Sequence, residues 1–201
     1  MSIWHEKFTL NHVISLRNNN LNKHLGIEFT ELGDDYIVAR MPVVDHNRQS
    51  RGILHGGASC VLAEALGSIA SNMCIDMRKQ KAVGLEINAN HVRPVSSGYV
   101  TGRTTVASLG RSVHVWNIDI MNDQGKLNCV SRLTTAIVDL KGDEIEKNNP
   151  VGTEISGTVS SMNEYAIYLK LDDYEIDAFL HCNDLTYSNN GEEAVSYTHL
   201  R

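Results

Sequence analysis

Glu64 places a carboxylate inside an otherwise apolar run. It follows His55-Gly56-Gly57 and is flanked by Ala58, Val61, Leu62, Ala63, Ala65 and Leu66. Burying a charge in such surroundings is expensive unless the charge is paired or used in chemistry. The glycine pair reads as the start of a helix, where unpaired N–H groups and the helix dipole can hold a developing negative charge. A carboxylate that attacks or activates water, beside an amide cradle for an oxyanion, is the minimum equipment for acyl transfer. Glu64 fits either role, nucleophile or general base, and Gly56 or Gly57 fits the cradle. Ser68, one turn beyond Glu64, shares its helix face and can steady the carboxylate or a water.

The helix that carries these groups is predicted from Gly57 to Met77. Leu62, Leu66, Ile69, Met73 and Met77 form an apolar stripe, and Ala58, Val61, Ala65 and Ala70 widen it almost all round, the pattern of a buried helix. Upstream, Lys7 to Arg17 reads as a short leading helix broken by Asn18-Asn19-Asn20. Gly26 to Glu31 and Tyr36 to Val43 read as strands joined at Gly33-Asp34-Asp35. Downstream, Val83, Leu85, Ile87 and Ala89 alternate with Gly84, Glu86, Asn88 and Asn90, the period of a strand. Three more strands follow: Tyr99 to Leu109, Ser112 to Met121, and Leu127 to Leu140. The last two are joined by the turn Asn122-Asp123-Gln124-Gly125. Hairpin connections imply an antiparallel sheet, and one buried helix wrapped by that sheet is the economical α+β packing.

This layout constrains the chemistry. Gly56 and Glu64 stand about 12 Å apart along a helix that rises roughly 1.5 Å per residue. Reacting groups must come within roughly 3 Å of the substrate. One chain cannot bring both to the same carbonyl, so the site is expected between two copies, with Gly56 from one and Glu64 from the other. Homodimerisation is thus an expectation of the chemistry itself.

Composition narrows the class. Of 201 residues, 42% are hydrophobic and 21% charged, which predicts a packed globular core. No apolar run is long enough to span a membrane, and Met1-Ser2-Ile3-Trp4-His5 carries no signal-peptide pattern, so a cytoplasmic protein without a membrane partner is expected. Cys60, Cys74, Cys129 and Cys182 show no C-x-x-C spacing, which points to reduced thiols rather than zinc or disulfides. Residues 1–142 hold 12 acidic and 15 basic side chains, whereas residues 143–201 hold 12 acidic and 3 basic. That break marks a domain boundary near Lys141-Gly142. The basic segment suits a polyanionic small molecule, and the acidic one is poorly suited to a phosphate backbone.

Several separated motifs carry a resemblance over residues 1–141. They are the stretch from Gln49 to Gly57, the helix Ala58 to Ser71, Val83-Gly84-Leu85-Glu86-Ile87-Asn88-Ala89-Asn90-His91-Val92-Arg93, and Arg132-Leu133-Thr134-Thr135-Ala136-Ile137. In that order they resemble the small hot-dog-fold acyl-CoA thioesterases, in the branch of aroyl-CoA hydrolases. The resemblance implies a long helix wrapped by an antiparallel sheet, assembled as a homodimer or a dimer of dimers. It implies hydrolysis of acyl-CoA, with aromatic acyl groups such as 1,4-dihydroxy-2-naphthoyl or hydroxybenzoyl, to free acid and CoA. No metal or redox cofactor is called for, since CoA is part of the substrate. By the same resemblance His55 and Gln49 orient substrate or water. CoA is assigned to Gly84, to His91, Val92, Arg93 and Pro94, and to Ser108, Leu109, Gly110, Arg111, Ser112 and Val113. Arg93 and Arg111 suit its phosphates. His5, His12, His46 and His114 lie outside the expected site.

Two other functions compete with this reading. Hot-dog dehydratases or hydratases of acyl thioesters carry a histidine or aspartate ahead of the helix; the position that fits both spacings is Ser50, which argues against them. A non-catalytic acyl-CoA-binding module would need no carboxylate at Glu64. Beyond a linker at 142–150, residues 151–194 read as three short strands: Ile155 to Val159, Tyr165 to Leu171, and one around Ala178 and Leu180. Val151 to Val159, Tyr165-Ala166-Ile167-Tyr168 and Phe179-Leu180-His181 resemble the start of a ribosomal-protein-type OB-fold RNA-binding repeat without its closing strands. Tyr168 and His181 would be its stacking platforms, but the acidity of the segment argues against RNA as a partner. Residues 195–201 are similar to translated sequencing-adapter read-through and form a non-native-looking tail, so the segment is either a genuine fusion or a join made in sequence assembly.

Overall fold

The computed structural model describes residues 2–15, 21–141, 157–162, 166–172 and 177–181. The chain divides into two compact units, Met1–Val138 and Asp139–Arg201. The first contains α1 (Leu10–Ser15), α2 (Leu21–His24), β1 (Glu28–Leu32), β2 (Ile37–Pro42), a 3-10 turn (Asp45–Asn47), α3 (Gly56–Met73), β3 (Gln80–His91), β4 (Tyr99–Leu109), β5 (Val113–Asn122) and β6 (Leu127–Asp139).

The six strands form one sheet in the order β1-β2-β4-β5-β6-β3. The pairs β1–β2, β2–β4, β4–β5 and β5–β6 are antiparallel. The long helix α3 packs against the sheet and contacts β2, β3, β4 and β5. Leu62, Leu66, Ala70 and Met73 on α3 and Ile37, Met41, Trp116, Ile118, Ile120 and Leu133 on the sheet are completely buried in one core. A Cβ on Gly67 would stand 2.5 Å from Leu133 Cδ2, and one on Gly102 2.6 Å from Leu66 Cδ1. These two glycines let helix and sheet approach closely. Behind them Trp116 Nε1 donates to Ser71 Oγ at 2.6 Å, and Ser71 shares a 2.8 Å hydrogen bond with Thr135, so the polar atoms of this buried corner satisfy one another. This arrangement is the expected hot-dog fold.

The departures from expectation are local. The helix ends at Met73, short of Met77. Asn72 Nδ2 donates to Ser68 O while its Oδ1 accepts the N–H of Ala82, and the N–H groups of Lys79 and Gln80 close a turn on Asp76 O. The chain is thereby diverted into β3. Among the described residues the leading helix spans Leu10–Ser15, starting later than Lys7; Leu16 to Asn20 lie outside them. α2 and the 3-10 turn carry no apolar period and were not anticipated. The alternation in β3 is only half a core pattern. Ile87 and Ala89 pack on the core, whereas Val83 and Leu85 are 44% and 62% exposed. The reason is position: β3 is an edge strand, paired with β6 alone among the described residues.

In the second unit β7 (Gly157–Met162), β8 (Ala166–Leu171) and β9 (Asp177–His181) form an antiparallel sheet in sequence order. These are three strands of the five that an OB barrel requires. The linker 142–150, Val151 to Ser156 and the tail 195–201 lie outside the described residues.

Candidate active site

The start of α3 is built by the loop before it. Asn47 is 3% exposed; its Oδ1 accepts from Val44 N–H at 2.9 Å and its Nδ2 donates to Pro42 O at 2.7 Å. Its carbonyl accepts the N–H of His55 at 2.9 Å, and Leu54 N–H donates to Val95 O at 2.7 Å. These bonds fix where the helix begins. His55 is its N-cap, in extended conformation (φ −68°, ψ 131°), and its Nδ1 accepts the N–H of Gly57 at 2.9 Å. With Nδ1 accepting, the ring of neutral His55 carries its proton on Nε2. Ala58 and Ser59 N–H donate to His55 O. The Gly56 N–H is the one amide of this first turn with no acceptor among the described residues. Of the two glycines, Gly56 is therefore the one with a donor to spare.

Two turns along the helix, Glu64 is half-buried. Ser68 Oγ donates to its Oε1 at 2.8 Å, the contact that one-turn spacing allows. Its Oε2 has no partner among the described residues. Gly84 of β3 lies against the same carboxylate: a Cβ there would stand 2.7 Å from Glu64 Oε1.

His91, at the other end of β3, leaves its strand to cover the helix start. A Cβ on Gly56 would stand 3.0 Å from His91 Cε1 and 3.2 Å from Nε2. The following residues are pinned by the buried Asn128, whose carbonyl accepts from Val92 and Arg93 N–H and whose Nδ2 donates to Arg93 O. Val92, Arg93 and Pro94 are themselves exposed.

The expected site residues thus fall into groups. His55, Gly56 and His91 stand together at the helix start, and Glu64, Ser68 and Gly84 stand together at its middle, about 12 Å away at roughly 1.5 Å per residue. Gln49 is half-buried in the loop before α3. Its Oε1 accepts Arg51 N–H at 3.0 Å, and its amide NH2 takes no partner among the described residues, which leaves it a donor. Ser108, Leu109, Gly110, Arg111, Ser112 and Val113 form the exposed β4–β5 turn, closed by Gly110 N–H on Val113 O. His114, just past it, is 4% exposed, and burial lowers its pKa below the ordinary histidine value. The remaining polar organisers, Asn47 and Asn128, escaped the sequence reading. Asn47 had a signal in its polar stretch, where asparagine readily bonds nearby backbone; Asn128 had none.

Burial pushes the Cys74 thiol up to about 12 and the Cys129 thiol up to about 11. Among the described residues no cluster of histidine, cysteine, aspartate or glutamate could hold a metal ion, and no helix is long and apolar enough to cross a membrane.

Comparison with known proteins converges on the same chemistry. A family model described as the thioesterase superfamily matches residues 51–129, which include Gly56, Glu64, Ser68, Gly84 and His91. The 1,4-dihydroxy-2-naphthoyl-CoA hydrolase of Escherichia coli is 47% identical over 136 residues, covering 68% of this chain and 99% of that protein. The chain belongs to the thioesterase superfamily. Another relative of this thioesterase is the proofreading thioesterase EntH of Cronobacter turicensis, 45% identical over 68% of this chain and 98% of its own length. Among solved structures, a mutant thioesterase from Pseudomonas aeruginosa superimposes with a TM-score of 0.67 at 44% identity, covering 69% of this chain and all of the other. The hot-dog domain is accordingly an enzyme unit, a thioester hydrolase.

Proposed function

We propose that this thioesterase hydrolyses acyl-CoA thioesters with aromatic acyl groups, of the 1,4-dihydroxy-2-naphthoyl or hydroxybenzoyl kind, to free acid and CoA. The observation that carries the reading is the half-buried Glu64 carboxylate, steadied through Oε1 by Ser68 and left with an unpartnered Oε2. The thioester carbon is attacked either by that oxygen or by a water that gives its proton to it. The carbonyl oxygen becomes an oxyanion held by the Gly56 N–H, and the C–S bond breaks to release the CoA thiolate, which takes up a proton. Where water attacks, the free acid forms directly; where Glu64 attacks, the acyl group is left as a Glu64 anhydride that water then hydrolyses to the free acid and the restored carboxylate. The name of the Escherichia coli relative favours an aromatic acyl group.

The two reacting halves are too far apart to share one carbonyl within a chain, so the site is read as composite, with Gly56 from one copy and Glu64 from another. The position of β3 supports this assembly: the strand pairs with β6 alone among the described residues and exposes Val83 and Leu85. The exposed Arg93 and Arg111 suit the phosphates of CoA, as does the pinned stretch from His91 to Pro94. In this scheme Gln49 and His55 orient substrate or water through the NH2 of the one and the Nε2–H of the other. No cofactor beyond the CoA carried by the substrate enters the reaction.

The test is a panel of aromatic and aliphatic acyl-CoA thioesters, with thiol release followed by a thiol reagent and ranked by kcat/KM. Aromatic thioesters should head the ranking, and Glu64→Gln should abolish turnover while keeping fold and assembly. Substantial activity in Glu64→Gln would remove Glu64 from the mechanism. Aliphatic thioesters ahead of aromatic ones would remove the substrate assignment alone.

A further inference from the structure

Gly84 is held by no requirement of the backbone. Positive φ occurs at Gly26, Gly52, Gly98 and Gly125, and Gly84 is not among them. It lies inside a strand, where glycine is unfavourable relative to a residue with a side chain. It is exposed, so it relieves no crowding in the core. What faces it is the Glu64 carboxylate: a Cβ would stand 2.7 Å from Oε1, 3.4 Å from Cδ and 3.6 Å from Oε2. A separation of 2.7 Å is not tolerated, so one group must move. The group that can move is the far end of Glu64, because the alternative is to displace strand backbone. Oε1 is also the atom to which Ser68 Oγ donates. A methyl group at position 84 would therefore push away the oxygen that Ser68 holds.

Resting on the functional reading above, we propose that Gly84 is a positioning residue: the missing side chain leaves the space in which Ser68 holds Glu64 in its attacking position. This role differs from contact with CoA, and the two predict different kinetics. A lost CoA contact raises KM. A displaced carboxylate lowers kcat and leaves the CoA subsite intact. The displacement costs little in folding, because a half-exposed side chain can swing aside. It costs much in rate, because a misplacement of about 1 Å at a reacting group can forfeit on the order of 100-fold.

The experiment compares the unmodified protein, Gly84→Ala, Ser68→Ala and the double variant on one acyl-CoA, with thermal unfolding measured in parallel. Gly84→Ala should lower kcat by roughly 10- to 100-fold with KM within about twofold and an unfolding midpoint no lower than that of the unmodified protein. Because both substitutions act on the same oxygen, the double variant should be no slower than Gly84→Ala by more than about twofold. A raised KM with kcat preserved, losses that multiply in the double variant, or a Gly84→Ala protein that fails to fold would each overturn the positioning role. Absence of turnover by the unmodified protein overturns the functional reading first and this inference with it. Turnover by the unmodified protein with any of those three results overturns this inference alone.

Discussion

A proline at position 56 offers a clean way to delete the oxyanion donor and to ask which chain supplies it. Gly56 is the first residue of α3, the position where proline is favoured because the lost N–H has no helical acceptor. The preceding His55 already has the extended backbone (φ −68°, ψ 131°) that a following proline requires. The ring would press on the exposed His91 imidazole, which stands 3.0 Å from a Cβ at this site and can turn away. Gly56→Pro should therefore keep the helix and remove one hydrogen bond to the oxyanion, at a cost of about 10²–10³ in kcat, or roughly 3–4 kcal/mol. Glu64→Gln should be inactive for the complementary reason. In a two-fold dimer, one copy of each variant restores one site, with Gly56 from the Glu64→Gln chain and Glu64 from the Gly56→Pro chain, and puts both lesions in the other site. Random reassociation of an equal mixture makes about half the dimers mixed, each with one working site, so activity should recover to about a quarter of the unmodified level. The assay is thiol release before and after the variants are mildly dissociated and remixed. If the site lay within one chain, every site would keep a lesion and the mixture would stay as inactive as its parts. That outcome would refute the composite site.

Other perturbations probe the scaffold. Ser71→Ala strands the indole N–H of the fully buried Trp116 and should cost about 1–3 kcal/mol in urea unfolding, with no direct effect on the carboxylate. Gly67→Ala gains helix propensity but drives a methyl group to within 2.5 Å of the buried Leu133; the clash should prevail, for a net loss of about 1–3 kcal/mol measured the same way. Asp76 is held below its ordinary pKa, first by the side-chain hydrogen bonds from Arg78 and then by its backbone hydrogen bond and charge. A carboxylate lowered on folding adds stability above its unfolded value of about 4 and loses it as the pH falls through the folded value. Asp76→Asn should therefore lower the unfolding midpoint at neutral pH and narrow the gap from the unmodified protein below about pH 4.

The buried helix and the sheet were legible because their residues repeat with the right periods. Leu62, Leu66 and Met73 all face the core, and the boundaries of β4 match the pattern that predicted them. The Glu64–Ser68 pair was legible for the same reason, since one-turn spacing admits few arrangements. Where backbone partners decide the outcome, the sequence was mute. The helix stops at Met73 because Asn72 is engaged on both sides, and no periodicity records that. The choice between Gly56 and Gly57 turned on a single histidine nitrogen. The exposure of Val83 and Leu85 depends on the strand order, which places β3 at an edge. The nearness of Gly84 to Glu64 likewise arises from how β3 lies against α3, and no spacing within the chain encodes it.

The outer rim of β3, a strand that pairs with β6 alone among the described residues, has a bearing on how the protein is made. A newly folded single copy would display Val83 and Leu85 along an edge strand, and an exposed apolar edge recruits other strands indiscriminately. Prompt pairing of two copies would shield it before aggregates grow. Soluble yield from expression should then depend on how fast copies meet, and a lysine introduced at Leu85 would trade catalytic assembly for a well-behaved solitary chain.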